Sequence, residues 1–419
     1  MGRNSRTYLE AKNAFTHKEY SQILGNCCKE LRELEDKTPQ LFDAILIDEA
    51  QDFNFEFYKL CYDILREPKR LIWAYDEVQS LESLSIPTAI EIFGTHTDGT
   101  PVVELEGNYP DSEIEKDMIL YHCYRTPRPI MVTAHFFGMG LLRNKGAVQF
   151  IPTPGGWEDI GYEVVSGEFQ PGKKVTIKRP EKNSPHSLEK LVPQGEKLVQ
   201  YKTFNQRSQE LNWVAAQIKK NVYEDELKPE EIVVISLDWK NMERDFGELQ
   251  GLLKPEVKAI ISKNEIFRQS NNVTLAGIFR AKGNEASIVY VIGFEQVDSN
   301  PQLIVQERNQ AFTAMTRARG WCILTGISSK AHILFHEIQK ILASYEEITF
   351  TVPEPKTIQR NLDNLEYEKR RNRLKKGKEL TSKLVEAMNE YGNPEILEKA
   401  KEIEELIKKE QQKINKLGN

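Results

Sequence analysis

Six short apolar runs constrain this chain more than any other feature. They are AILI at 44–47, RLIWAY at 70–75, EIVVISL at 231–237, NVTLAGI at 272–278, SIVYVIGF at 287–294 and WCILTGI at 321–327. Between them lie longer patterns at helical spacing, such as FEFYKLCYDILRE at 55–67 and LNWVAAQIKKNVY at 211–223. Strands that are apolar on both faces need helices on both sides of their sheet. The alternation therefore predicts an α/β fold with buried parallel strands. Residues 8–35 read as mostly polar helix. The Gly- and Pro-rich stretch at about 150–190 carries alternating strand patterns and reads as a β-rich insertion. A length of 419 residues suits two or three domains.

Composition narrows the function classes. The formal net charge of −6 excludes a globally basic, histone-like binder. A local basic channel stays open, since affinity for nucleic acid depends on where Lys and Arg sit. Cys27, Cys28, Cys61, Cys123 and Cys322 form no C-x-x-C pair, so a reducing, cytoplasmic setting is expected rather than a disulfide scaffold or zinc ribbon. The first residues hold no apolar core of a signal peptide, and no apolar stretch reaches membrane-spanning length. From about residue 346 the character changes to a charged helical tail. Lys369, Arg370, Arg371, Arg373, Lys375, Lys376 and Lys378 form a basic run, and Ile396, Ala400, Ile403, Ile407, Ile414 and Leu417 fall near heptad spacing.

The sharpest chemical signal is Ala44-Ile-Leu-Ile-Asp48-Glu49-Ala50-Gln51-Asp52. A strand here would present two carboxylates at its C-terminal edge, where open α/β sheets bind ligands. A nucleoside triphosphatase needs one carboxylate there for Mg²⁺ and a second to orient the attacking water. Asp48 suits the first role and Glu49 the second. Downstream stand Tyr75-Asp76-Glu77-Val78-Gln79, then Tyr124-Arg125-Thr126, then Val273-Thr274 through Phe279-Arg280-Ala281-Lys282-Gly283-Asn284-Glu285, then Arg308 through Thr316-Arg317-Ala318-Arg319.

In this order, these strings resemble the superfamily 1 helicases of the UvrD/Rep type. DEAQD resembles their Walker B motif. Gln79 resembles the γ-phosphate sensor of their Gly-Asp-x-x-Gln motif, with Tyr75 in place of Gly and without the aromatic tail that stacks a DNA base. Arg125 resembles the γ-phosphate arginine of their "NYRS" motif. Residues 274–285 resemble "T-x-H-x-x-K-G-x-E", with Phe279 where His is common. The resemblance implies DNA-backbone contacts from Thr274, Arg280, Lys282 and Gly283, and a ribose contact from Glu285. Arg317 resembles the family's arginine finger. The implied fold is two RecA-like parallel-sheet domains, the first incomplete. Residues 1–115 would form the first, 116–345 the second with the insertion inside it, and 346–419 the tail. The implied activity is ATP- and Mg²⁺-dependent movement on single-stranded DNA, with RNA not excluded. Repair, recombination and anti-phage defence all employ this helicase type.

Three elements of the family pattern are not seen in the sequence: the phosphate-binding loop, the adenine-contacting Gln motif and the first DNA-contact motif. No G-x-x-x-x-G-K-[ST] precedes Asp48. The nearest string, Gly167-Glu-Phe-Gln-Pro171-Gly172-Lys173-Lys174, puts Lys where a hydroxyl should bind Mg²⁺ and Pro where an amide should donate. Three explanations follow: a truncated product, a motor completed by a partner polypeptide that supplies the phosphate loop, or a degenerate ATPase. The competing class is a non-catalytic nucleic-acid-binding subunit of a larger complex.

Overall fold

A computed structural model describes residues 8–14, 20–33, 39–76, 88–105, 107–109, 112–192, 197–262, 267–358 and 360–361. Gln79 and the charged segment from Asp363 onward lie outside the described residues. The strands are β1 (Phe42–Ile47), β2 (Leu65–Trp73), β3 (Gln149–Phe150), β4 (Glu163–Gly167), β5 (Lys174–Lys178), β6 (Val199–Phe204), β7 (Ile232–Ser236), β8 (Ala259–Ile261), β9 (Val273–Gly277), β10 (Ala286–Ile292), β11 (Ala318–Ile327), β12 (Ile348–Thr351) and β13 (Arg360–Asn361).

The main body is a six-stranded sheet in the order β6-β11-β10-β7-β9-β8. Every pairing in it is parallel. Alternate residues of each strand serve opposite faces. Val233, Ile235, Val289 and Val291 join one core, with Ile130, Phe136, Phe312 and Ile338 from the covering helices. Ile232, Val234, Ile288, Tyr290 and Ile292 join the other, with Leu211, Val214, Phe246 and Leu249. The α/β expectation with buried parallel strands is met here. The helix Arg128–Met139 is buried on nearly every side, because it lies between the sheet and the small β-rich layer.

That layer is a three-stranded antiparallel sheet, β12-β5-β4. Trp157 and Phe350, at 5.7 Å between ring centroids, fill the space beneath it. The strand signal at 150–190 was therefore correct for β4 and β5. Their third strand, β12, comes from residues expected in the tail. Phe350 and Val352 are buried, so the chain stays part of the folded body past residue 346.

A second, smaller sheet departs from expectation. β1 and β2 pair in parallel, and the described residues add no further strand. Ile45, Ile47, Leu71 and Trp73 face a small core with Tyr58, Cys61 and Ile92. The opposite face is bare: Leu46 is 75% exposed and its register partner Ile72 is 54% exposed. The AILI run forms its strand but is not buried on both sides. The expected helix over 55–67 also ends early, at Asp63. Ile64 O accepts the N–H groups of Leu41 and Phe42, and Leu65 enters the sheet opposite Phe42.

The body is tied internally by a buried ion cluster. Arg308 is fully buried; it donates to Asp298 at 2.7 and 2.9 Å and to Glu337 at 3.0 Å with both terminal nitrogens. Arg143 adds a second cation on Asp298 at 2.8 Å. Replacing Arg308 with Met should cost about 3–5 kcal/mol in urea unfolding, since two carboxylates would lose their main partner inside the protein. Nearby, His135 is stacked on Phe312 at 5.2 Å and hydrogen-bonded to Tyr162 Oη at 3.0 Å. Burial, helped by the charge of Arg179, pushes its pKa down to about 3. The folded state thus keeps this imidazole neutral while the unfolded chain protonates it below its ordinary value of 6.5. Stability should be full above that value and fall as pH drops from there toward 3. Urea midpoints measured across that range should show the loss, and His135→Phe should reduce it.

Candidate functional site

The small sheet and the large one are joined through the loops at their strand ends, where Lys282 pairs with Asp52. The C-terminal ends of β1 and β2 carry Asp48, Glu49 and Asp76. The residues just before β10 and β11 are Glu285 and Arg317. Carboxylates from the small sheet thereby face cations from the large one.

On the small-sheet side the backbone turns sharply. Glu49 adopts a left-handed conformation with φ of 50°, which a non-glycine residue holds only when its surroundings demand it. The demand is visible. Ala50 N–H bonds Ala74 O at 2.9 Å, and Ala74 N–H bonds Ile47 O at 2.9 Å. Gln51 is buried; it donates to Glu49 Oε2 at 2.6 Å and accepts the Asp76 N–H at 3.1 Å. One amide therefore fixes the Glu49 carboxylate against the end of the neighbouring strand. Asp48 is exposed, and its Oδ1 accepts the Glu49 N–H at 2.9 Å.

On the large-sheet side the central group is Arg317, 2% exposed. Its Nε donates to Thr313 O at 3.0 Å and an Nη to Thr316 Oγ1 at 3.3 Å. Its pKa is pushed down to about 10, first by burial and then by the positive charge of Arg125. Glu49, Asp76 and Glu285 act in the opposite direction. Arg125 pairs with Glu285 at 3.5 Å, and Arg319 reaches the other oxygen of Glu285 at 3.2 Å. Two guanidinium groups that repel each other in a half-dry cleft favour an anion between them.

Lys282 crosses the cleft. Its Nζ sits 2.6 and 2.8 Å from the two carboxylate oxygens of Asp52 and 3.5 Å from Glu49 Oε2, and its side chain is 8% exposed. The carboxyl of Asp52 is raised above its ordinary value, chiefly by burial and partly by Glu49, with Lys282 opposing.

The structure thus gathers Glu49, Arg125, Glu285 and Arg317, and Asp48 stands exposed next to Glu49. The group expected on the nucleic-acid backbone divides. Lys282 is turned into the cleft rather than outward. Thr274 is fully buried within β9, its hydroxyl donating to Phe267 O at 3.3 Å, so it corrects to a strand residue without access to a phosphate. Arg280 is exposed, and Gly283 holds a φ of 77° that suits glycine. Gln51 and Asp52 went unassigned in the sequence because the DEAQD string states their identity but not their partners. Tyr124 was also passed over. Its ring is 68% exposed beside Arg125 and lies 5.8 Å from His122, open to a flat partner. Among the described residues no cluster of three or more His, Cys, Asp or Glu could hold a metal ion by itself. The exposed carboxylate of Asp48 is of a kind that would suit a divalent cation shared with phosphate.

The cross-cleft pair has an asymmetric test. Asp52→Ala leaves a mostly buried ammonium with only the more distant Glu49 and should cost about 1–3 kcal/mol in urea unfolding. Lys282→Met removes the cation and keeps the buried stem, so it should cost less.

Among solved structures, the C-terminal domain of a possible DNA helicase from Lactobacillus plantarum WCFS1 is similar at 20% identity. The match covers 34% of this chain and 83% of that one, with a TM-score of 0.27. Comparison with curated proteins gives no match. Residues 273–325, which run from β9 into β11 and include Lys282, Glu285 and Arg317, match the UvrD-like helicase C-terminal domain.

Proposed function

We propose that this chain is the larger part of an ATP-driven, UvrD-like helicase or translocase acting on single-stranded nucleic acid, completed by a segment that supplies the phosphate loop. One observation carries the proposal: the buried Arg317 shares a cleft with Arg125 while Glu49, Asp76 and Glu285 face it from both sheets. That is the charge arrangement a phosphoryl-transfer site needs, with cations for the transferring group and a carboxylate for the water. Arg317 and Arg125 hold the γ-phosphate oxygens and stabilise the charge that spreads over them during transfer. Glu49, aimed by Gln51, orients the attacking water and accepts its proton. Glu285 accepts from the ribose hydroxyls, and Gln79 senses the γ-phosphate. Asp48 would hold Mg²⁺, which when bound neutralises charge on the phosphate oxygens. Lys282 and Asp52 tie the two sheets together, so nucleotide turnover moves one against the other and shifts the grip on the strand. RecA-like halves, with the second over 116–345, are part of the same proposal.

The bare Leu46–Ile72 face and the two-stranded extent of the small sheet support a missing unit, since parallel sheets are otherwise covered on both sides. The second reading, a non-catalytic nucleic-acid-binding subunit, is favoured by the absence of a G-x-x-x-x-G-K-[ST] string.

A fusion placing a phosphate-loop segment ahead of Met1 tests both. The folded fusion should hydrolyse ATP with stimulation by single-stranded DNA, and the chain alone should not. Glu49→Gln and Arg317→Ala in the fusion should each lower kcat by about 10³-fold or more while the protein stays folded. A folded, inactive fusion would overturn the motor and leave the binding subunit.

A further inference from the structure

The large sheet ends on β6, which has a neighbouring strand on one side only. It pairs with β11, Val199 in register with Cys322 and Thr203 with Gly326. Cys322 N–H donates to Leu198 O at 2.8 Å, and a parallel strand turns the backbone groups of alternate residues to opposite edges. Leu198, Gln200 and Lys202 therefore serve β11, and the N–H and C=O groups of Val199, Tyr201 and Thr203 face the open edge. Among the described residues no strand covers them. Residues 200–203 are exposed, whereas β7 is buried throughout. Beside the start of β6 opens a cavity of about 630 Å³. Buried Leu198 and Val199 line it, with Pro129, Leu342 and Tyr345. Arg128 lies over the Tyr345 ring at 5.3 Å and is held by Glu189, which accepts its backbone N–H at 2.6 Å and its Nε at 3.3 Å. Lys190 likewise pairs with Glu181 at 2.5 Å, so most charges on the wall have partners there, and Glu346 stands exposed. The open strand differs. Lys197 and Lys202 flank it, both exposed and neither on an acid among the described residues; Lys202 Nζ lies 4.7 Å from the Trp213 ring centroid. Glu49, Arg125, Glu285 and Arg317 take no part in lining the cavity, so this is a separate place from the cleft.

We propose that the β6 edge and the adjoining cavity dock an extended, acidic segment of a partner polypeptide, which pairs with Val199, Tyr201 and Thr203 as an added strand and sets an apolar side chain in the cavity. Unpaired backbone groups in a row are a template for another strand, and they give affinity without regard to sequence. Specificity then comes from where alternate side chains of the added strand fall. One set points to the side of the sheet on which Tyr201 packs against Phe335 of the helix Ser328–Ala343, at 5.4 Å between ring centroids. Leu342 and Ala343 of that same helix line the cavity, so an apolar residue of the added strand has a place to be buried. The lysines choose the kind of partner. A second copy of this chain paired at the same edge would bring Lys197 and Lys202 of both copies together, and like charges across a strand pair repel. An acidic strand turns the same charges into attraction.

The test uses the full chain and fluorescein-labelled peptides in which Glu alternates with Leu, Val or Phe, followed by anisotropy at low and high salt. At least one peptide should bind, more weakly at high salt. N-methylation of one alternate set of its amides should abolish binding and of the other set leave it unchanged, because only one edge of an added strand meets β6. Lys in place of Glu should weaken binding by about tenfold. In the protein, Thr203→Pro takes one N–H from the open edge, where proline is tolerated, and Ala343→Trp fills the cavity from an exposed position. Each should weaken binding by about tenfold with circular dichroism unchanged. None of these readouts depends on nucleotide or nucleic acid. Binding that neither N-methylated peptide loses would overturn strand addition, and so would failure of every acidic peptide to bind at low salt. Dimerisation of the unmodified chain in sedimentation, lost in Thr203→Pro, would assign the edge to a second copy and overturn the acidic partner.

Discussion

Parallel strands need cover on both faces, and the rest of this structure follows from how that need is met. In the six-stranded sheet it is met fully. Val233 and Ile235 go to one core and Ile232 and Val234 to the other, with helices over both. This burial holds β10 and β11 in place, and their first residues, Glu285 and Arg317, inherit their positions from it. In the two-stranded sheet the need is met on one side only. Leu46 and Ile72 stay exposed on the other.

The cleft between the sheets is an electrostatic arrangement more than a shaped cavity. Arg317 is buried beside another arginine, and Lys282 is buried on two carboxylates. Desolvation makes each of these charges dependent on its partners, so small movements of one sheet against the other change their balance. The left-handed backbone at Glu49 belongs to the same scheme. A residue in that conformation is held by its neighbours, here Gln51 and the end of β2, and its carboxylate is aimed without needing a ligand to order it.

Much of this was legible in residue order. All six apolar runs became strands, with ends within a few residues of expectation except in β2, because buried strands write their burial directly as apolar identity. Asp48 and Glu49 could be named because they follow an apolar run directly, and Arg125, Glu285 and Arg317 because they stand in strings that resemble a family's motifs in order. Thr274 was misread because a hydroxyl in a strand can face inward as easily as outward, and the string alone does not say which. The pairing of Lys282 with Asp52 was not legible because the two lie 230 positions apart. β6 and β12 went unread because edge strands are half polar, and their pairing is decided by distant segments.

The sequence by itself determined the kinds of element, the order of the charged motifs and the absence of a phosphate-loop string, since these depend on local periodicity and residue identity. Only the tertiary structure decided that carboxylates of the first segment meet arginines of the second. It alone also turned Lys282 inward and left one face of β1 and β2 bare. Those outcomes depend on which segments pack together, and packing is a long-range balance of burial and charge that no single stretch of residues contains.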